Sequence, residues 1–424
     1  MIYTIISALP TISTKTKGTR MTDANKTKLN QGVSRRAVLA SMLGVAAAGV
    51  VGIRPVFAED ATVRVGFSLA HTGWAAAYDV AFSQGLQLAF DEANANGGAG
   101  GKFKIEVIEG TDTASSSVEA IKSADALMEQ GVDVLYTSCD ATSSVAAGRS
   151  GQKKGVLMFA GTSTQPDVPM KVGDWMYLVN FSDNLSSGAT GIFAVEDLGV
   201  KTAYLLKSSD NTFTEFVPEY FAAAFEKRGG KVLGKANYTF GQVDFSGIIS
   251  EIRALPTEPD AIMTAAFEPE LPAFLRQVRA AGIKSRIIGA DAIDSPSFYA
   301  LGDLVEGTIV VSNRVPVEGS KYDEVAKRFG EKHPDQVGNS AWIVGYDAGL
   351  VLLEAIKNAG ATDSASIRAA LDKIADFEVP NGKITFAGFE RRPLVPISLL
   401  EIKGGKGVFL KAATIDPAEI PAPM

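Results

Sequence analysis

Several short runs carry the side chains that could do chemistry, and most are hydroxyl- or carboxylate-bearing turns directly behind an apolar stretch. Thr137-Ser138-Cys139-Asp140-Ala141-Thr142-Ser143-Ser144 follows the apolar residues 132–136 and precedes Val145-Ala146-Ala147. Hydroxyls at the carboxyl end of a strand and just before a helix sit where backbone N–H groups point outward and an anion is welcome. The same pattern also reads as an ordinary Ser/Thr helix cap. Gly161-Thr162-Ser163-Thr164-Gln165-Pro166 follows the apolar 156–159, and is either a second ligand loop from the same sheet edge or a capped turn. Further on stand Ala265-Ala266-Phe267-Glu268-Pro269-Glu270, Ser209-Asp210-Asn211-Thr212-Phe213, and Ile287-Ile288-Gly289-Ala290-Asp291. Asp291 suits either a positively charged ligand group or a helix cap, with Asp294 and Ser295 as equally good caps nearby. Tyr78 and Trp74 add aromatic faces at the mouth of the first helix.

Other chemistries lack their residues. His71 and His333 are far apart and Cys139 is the single cysteine, which argues against a zinc or haem site and excludes an intramolecular disulfide. There is neither a G-x-S-x-G elbow nor a Walker A sequence. Asn96-Gly97-Gly98-Ala99-Gly100-Gly101 follows a helical stretch and precedes a strand, the wrong context for a phosphate loop. An exported hydrolase would need a nucleophile with an oriented base, and neither histidine stands in such a setting. The reading is a protein with no catalytic residues, no metal and no cofactor, whose hydroxyl, carboxylate and aromatic groups are either capped turns and core or the lining of a small-molecule site.

The elements that must position these residues alternate. Strands are predicted at 63–68, 103–109, 132–137, 156–159, 202–207, 231–238, 261–265, 285–289 and 308–311. Helices are predicted at 78–96, 115–130, 143–154, 188–198, 216–228, 245–254, 269–281, 321–332 and 342–358. A helix at 364–374 and closing strands at 382–386, 395–402 and 408–411 follow. In 78–94 the apolar residues Tyr78, Ala81, Phe82, Leu86, Ala89, Phe90 and Ala93 recur three and four apart, as a one-sided helix requires. This rhythm predicts an α/β fold with parallel, doubly wound sheets, and the length predicts two domains.

Ser34-Arg35-Arg36-Ala37-Val38-Leu39 is a twin-arginine pattern, followed by a charge-free run over 37–53 and by Val56-Phe57-Ala58 as a small-residue cleavage site. Residues 1–58 are therefore read as an export signal removed after Ala58. They hold 8 of the 41 Lys/Arg and 1 of the 48 Asp/Glu, leaving 33 basic against 47 acidic residues, a net charge of −14, on the remaining 366. So acidic a surface argues against nucleic acid and anionic membranes as partners.

The segment from Val63 through Ser68-Leu69, Thr72-Gly73 and Tyr78 to Asp91-Glu92-Ala93-Asn94-Ala95-Asn96-Gly97-Gly98 resembles the opening of the leucine/isoleucine/valine-type periplasmic binding proteins. The likeness extends over about residues 62–412 in the order of elements. It implies two Rossmann-like lobes joined by three crossovers, near 179–183, 312–316 and 386–396, with the ligand in the interlobe cleft. One lobe would comprise 59–180 and 315–388, the other 181–314 and 389–424. By the same resemblance Thr142 and Ser143 match the serine-rich loop that grips a ligand carboxylate, and Thr162 and Thr164 match an A-x-T-x-P loop. Phe267 falls on an aromatic of the G-G-Y-Y-P-E turn, with Glu268 replacing the second aromatic. Asp291 falls on the acidic residue that binds an ammonium, and Tyr78 on the aromatic after the first loop. Thr212 and Phe213 close a segment that lacks the Tyr-Gly of the family. The implied function is the extracytoplasmic receptor of an ABC importer: a periplasmic monomer that binds a small amino acid or related solute by lobe closure and docks to membrane permease subunits. Alternatives are a receptor for an amide, a urea or a small aliphatic or aromatic carboxylate, or a chemosensory ligand-binding module.

Overall fold

The computed structural model describes residues 61–424; the export signal and its cleavage site lie outside the described residues. The chain runs β1 (Ala61–Ser68), α1 (Ala76–Ala95), β2 (Phe103–Glu109), α2 (Ser117–Glu129), β3 (Val134–Thr137), α3 (Ala141–Lys154), β4 (Leu157–Ala160), α4 (Val168–Val172) and β5 (Met176–Leu178). It then leaves this sheet for α5 (Asp183–Glu196), β6 (Thr202–Lys207), α6 (Thr212–Lys227), β7 (Lys231–Asn237), α7 (Ser246–Arg253), β8 (Ala261–Thr264), α8 (Glu270–Ala280), β9 (Arg286–Gly289), α9 (Pro296–Tyr299) and β10 (Ile309–Ser312). It returns for α10 (Lys321–Lys332), α11 (Ala341–Ala359), α12 (Ser364–Leu371) and the β11 (Phe377–Val379)–β12 (Gly382–Ile384) hairpin. A last crossing adds β13 (Ile397–Lys403) and β14 (Lys406–Ala413) to the second sheet.

The first sheet is parallel, in the order β2-β1-β3-β4-β5. The second has the order β14-β13-β10-β9-β8-β6-β7, parallel except where β13 runs antiparallel to β10 and β14. Each sheet carries its own core. The first core takes side chains from 63–179 and from 322–386, including the aromatic series Phe67, Tyr136, Phe159, Tyr177 and Phe386 with neighbouring ring centroids 5.1–6.1 Å apart. The second takes them from 181–311 and from the returning strands. These are two Rossmann-like lobes joined by three chain crossings, the two-lobe type I architecture that the element order predicts.

The sequence reading placed most elements within a few residues. It missed β5, whose three residues are too few to show a period, and it started α5 and α6 too late. In α6 the cause is Pro218 inside the helix. A proline there frees the carbonyl four residues back, and that Thr214 carbonyl accepts from the Ser208 N–H at 3.2 Å instead.

Where the crossings converge, Asn180, Asn313, Asp347, Asn381 and Pro396 line a cavity of about 40 Å³. Asn381 donates to Asp347 Oδ2 at 2.9 Å, and burial pushes the Asp347 carboxyl well above its ordinary range. Beside it, Arg314 on the second crossing pairs with the buried Asp294, which also accepts from Ser312 at 2.5 Å.

Candidate functional site

In a parallel sheet the natural crevice lies outside the carboxyl ends of the strands, where neighbouring connections leave in opposite directions. In the first sheet that point falls between β1 and β3, and in the second between β6 and β8. The loops there are those the sequence singled out: 69–75 and 138–140 in one lobe, 208–211 and 265–269 in the other.

Asp79, in the first turn of α1, holds the first pair of loops together. Its carboxylate accepts from Ala70 N at 2.9 Å and from Cys139 N at 2.8 Å, and burial raises its pKa to about 6. Asp112 binds the same first loop from the other side. It accepts from the backbone of His71 (2.8 Å), Thr72 (3.3 Å) and Ala114 (2.8 Å) and from the Thr72 hydroxyl (2.7 Å), which lowers its pKa to about 2. Cys139 is half-buried, and desolvation, with Asp79 next, pushes its thiol up, so it is not a nucleophile.

Helix α3 departs from the sequence reading. Its cap is Asp140, not a serine or threonine: the Asp140 carboxylate accepts from Thr142 N at 3.2 Å and Ser143 N at 3.1 Å. The Ser143 hydroxyl donates to the same carboxylate at 2.5 Å. Ser143 is fully buried and Thr142 exposed. The helix-end donors are therefore engaged by the protein's own anion.

Thr162 is half-buried and Thr164 buried, on a loop tied to β3 by Gly161 N donating to Thr137 O at 2.8 Å. The Thr164 carbonyl accepts from Asp183 N at 2.7 Å. Asp183 opens α5 and is 2% exposed, with no partner for its Oδ1. Desolvation pushes its carboxyl well up; the Thr164 side chain counters this, and Asp291 adds to it.

From the second lobe, Asp291 stands half-buried at the end of β9, its pKa raised to about 7 by desolvation, with Asp294 adding to the shift. Glu268 is exposed and accepts from Ser297 at 3.1 Å. Phe267 is half-buried, its ring edge-on to Phe240 at 5.7 Å. Tyr78, from the first lobe, is pushed up by desolvation and by the fields of Cys139, Asp291 and Glu268. The field of Asp291 thus reaches both Tyr78 and Asp183, whose N–H is bonded to the Thr164 carbonyl. Thr212, exposed, and Phe213, half-buried against the second core, belong instead to the β6 edge, where Asn211 caps α6. Trp74 is 53% exposed.

Sequence reasoning missed Asp79, Asp140 and Asp183. Asp140 was legible as an aspartate two residues before a run of small helix formers, and Asp183 as the residue after Ser182 in a polar break. Asp79 gave no signal.

The family model described as periplasmic binding protein matches residues 62–406. A leucine-, isoleucine-, valine-, threonine- and alanine-binding protein of Pseudomonas aeruginosa is 24% identical over 342 residues, covering 80% of this chain and 90% of that protein. The leucine-binding protein LivK of Thermotoga maritima superposes with a TM-score of 0.71 at 26% identity, covering 84% of this chain and 99% of that one. A solute-binding protein of R. palustris in complex with benzoate superposes with a TM-score of 0.68 at 22% identity, covering 84% and 98%. With its two lobes, its three crossings and the family model spanning both, this chain belongs to the periplasmic binding protein family, type I, alongside the leucine/isoleucine/valine-binding proteins.

Proposed function

We propose that this protein is the extracytoplasmic receptor of an ABC importer, capturing a small nitrogen-bearing solute between its lobes and presenting the closed form to membrane permease subunits. The observation that supports this reading is the two-lobed architecture, in which loops 69–75 and 138–140 leave the carboxyl ends of one sheet and loops 208–211 and 265–269 those of the other. A ligand that touches both walls favours the closed arrangement because only there are both sets of contacts made. Asp291 receives an ammonium or similar group; Tyr78 and Phe267 pack against the apolar part; Thr162 and Thr164 supply hydroxyls. Among the described residues no helix is long and apolar enough to cross a membrane, in keeping with a receptor that needs a separate permease. The curated relative that binds leucine, isoleucine, valine, threonine and alanine supports amine-bearing ligands.

A receptor for small carboxylic acids is the second reading, suggested by the fold neighbour in complex with benzoate. Thermal denaturation against amino acids, amines, amides and small acids separates the two. A true ligand at ~100 times its Kd adds about 2.7 kcal/mol of stability. A shift by amine-bearing solutes, lost in Asp291→Asn, is the expected result. A shift by plain acids alone transfers the assignment to the second reading.

A further inference from the structure

Several donors on the loops of the first lobe are already engaged. On the first-lobe wall the backbone donors are already engaged by carboxylates: Ala70 and Cys139 by Asp79, His71 and Thr72 by Asp112, Thr142 and Ser143 by Asp140. At the site where a ligand carboxylate would seek α3, Asp140 also takes the Ser143 hydroxyl. A second anion placed there would face Asp140 at close range with few donors left, and like charges so juxtaposed cost several kcal/mol.

One buried acceptor, by contrast, is left over. Asp183 is 2% exposed with Oδ1 unpartnered, held beside Thr164 by its backbone hydrogen bond of 2.7 Å. The field of Asp291, after β9, reaches it, and that of Glu268 reaches Tyr78. The charges acting on Tyr78, Asp183 and Asp291 are those of other acidic groups. The nearby Arg392 acts on Tyr220 and is bonded through Nη2 to Glu390 at 2.9 Å, its buried Nη1 having no partner, while Asp167 is taken by Lys171 at 2.5 Å. A buried, unpartnered carboxylate is costly unless something donates to it.

Resting on the receptor reading above, we infer that the solute is a small organic cation rich in N–H donors (an amine, amidine or guanidine) and carries no carboxylate. Asp183 and Asp291 receive its donors, Glu268 adds its field at the mouth, and Asp140 stands in the place of the carboxylate such a ligand lacks.

Matched pairs that differ only by a carboxylate test this. Titration calorimetry on the protein would compare agmatine with arginine, putrescine with ornithine, and isoamylamine with leucine, with benzoate as the anionic probe. The expected result is that at least one decarboxylated member binds about tenfold or more tighter than its amino acid. Asp183→Asn should weaken that amine about tenfold while the empty protein melts no lower than wild type. Asp140→Ser, which retains a good helix cap, should move the ratio toward the amino acid. Tighter binding of the amino acids, or of benzoate, overturns the cation assignment and leaves the receptor reading standing. No binding by any member of the panel overturns both.

Discussion

Asp291 makes the cleft sensitive to pH, and the sign follows from its shift. Its pKa in the empty protein is about 7 against an ordinary 3.8. Between those values the native state holds a proton that the unfolded chain has lost, so this group makes the empty protein less stable as pH rises from about 4 to 7. A cationic ligand binds the ionised form and expels the proton. Affinity for an amine should therefore fall as pH drops below 7, by up to about tenfold per unit. Asp291→Asn should bind weakly at every pH and flatten that slope; calorimetry between pH 5 and 8 reads both, and an unchanged slope removes Asp291 from the ligand. Tyr78, Thr164 and Asp291 were singled out in sequence through the family resemblance, because by themselves an aromatic, a threonine and an aspartate behind apolar runs read equally well as core, turn or cap. Asp79 gave no sign in the sequence, because a carboxylate's role depends on which N–H groups it meets, and one of its own comes from a loop 60 residues away.

Helix α1, which carries Tyr78 and Asp79, is seated by backbone-to-backbone contact with α11. A Cβ on Gly85 would lie 1.8 Å from the Trp342 carbonyl oxygen, and one on Gly345 would lie 2.0 Å from that of Phe82. Both neighbours are backbone in packed helices and cannot yield without moving the helix. Gly85→Ala should cost about 1–3 kcal/mol or more by overpacking and should weaken ligand binding by displacing Tyr78. Denaturant unfolding checks the first, and a stability equal to wild type would show that the two helices slide freely. The heptad-like apolar spacing of α1 announced the helix, and Gly97 and Gly98, at φ 94° and 87°, announced its end. The glycines at its interface gave no such sign, since only the partner helix, some 260 residues on, makes them necessary. The helix that begins at Asp183 was likewise read five residues late, as its first turn, Asp183 to Ser187, holds Leu185 alone among polar residues and its burial comes chiefly from packing on α6.

Across the whole molecule the lobes meet at the rim as well as in the cleft. A Cβ on Gly338, before α11, would lie 2.6 Å from Pro296 Cγ at the start of α9. Gly338→Val should wedge the lobes apart, lowering ligand affinity about tenfold or more by disfavouring closure while each lobe's own core stays intact. Calorimetry with small-angle scattering reads the two effects together, and full affinity in a closed variant would show that this contact does not limit closure. The amino-acid sequence by itself determined the alternation of strands and helices, and with it the α/β class. It also determined which loops leave the carboxyl ends of the strands, because hydrophobic period and turn chemistry are local properties of the chain. Only the tertiary structure decided that the helix-end donors of α3 are already engaged and that Oδ1 of the buried Asp183 is left without a partner. Hydrogen-bond capacity is used up between residues distant in the chain, and which groups are left for a ligand is known only when every partner has been placed.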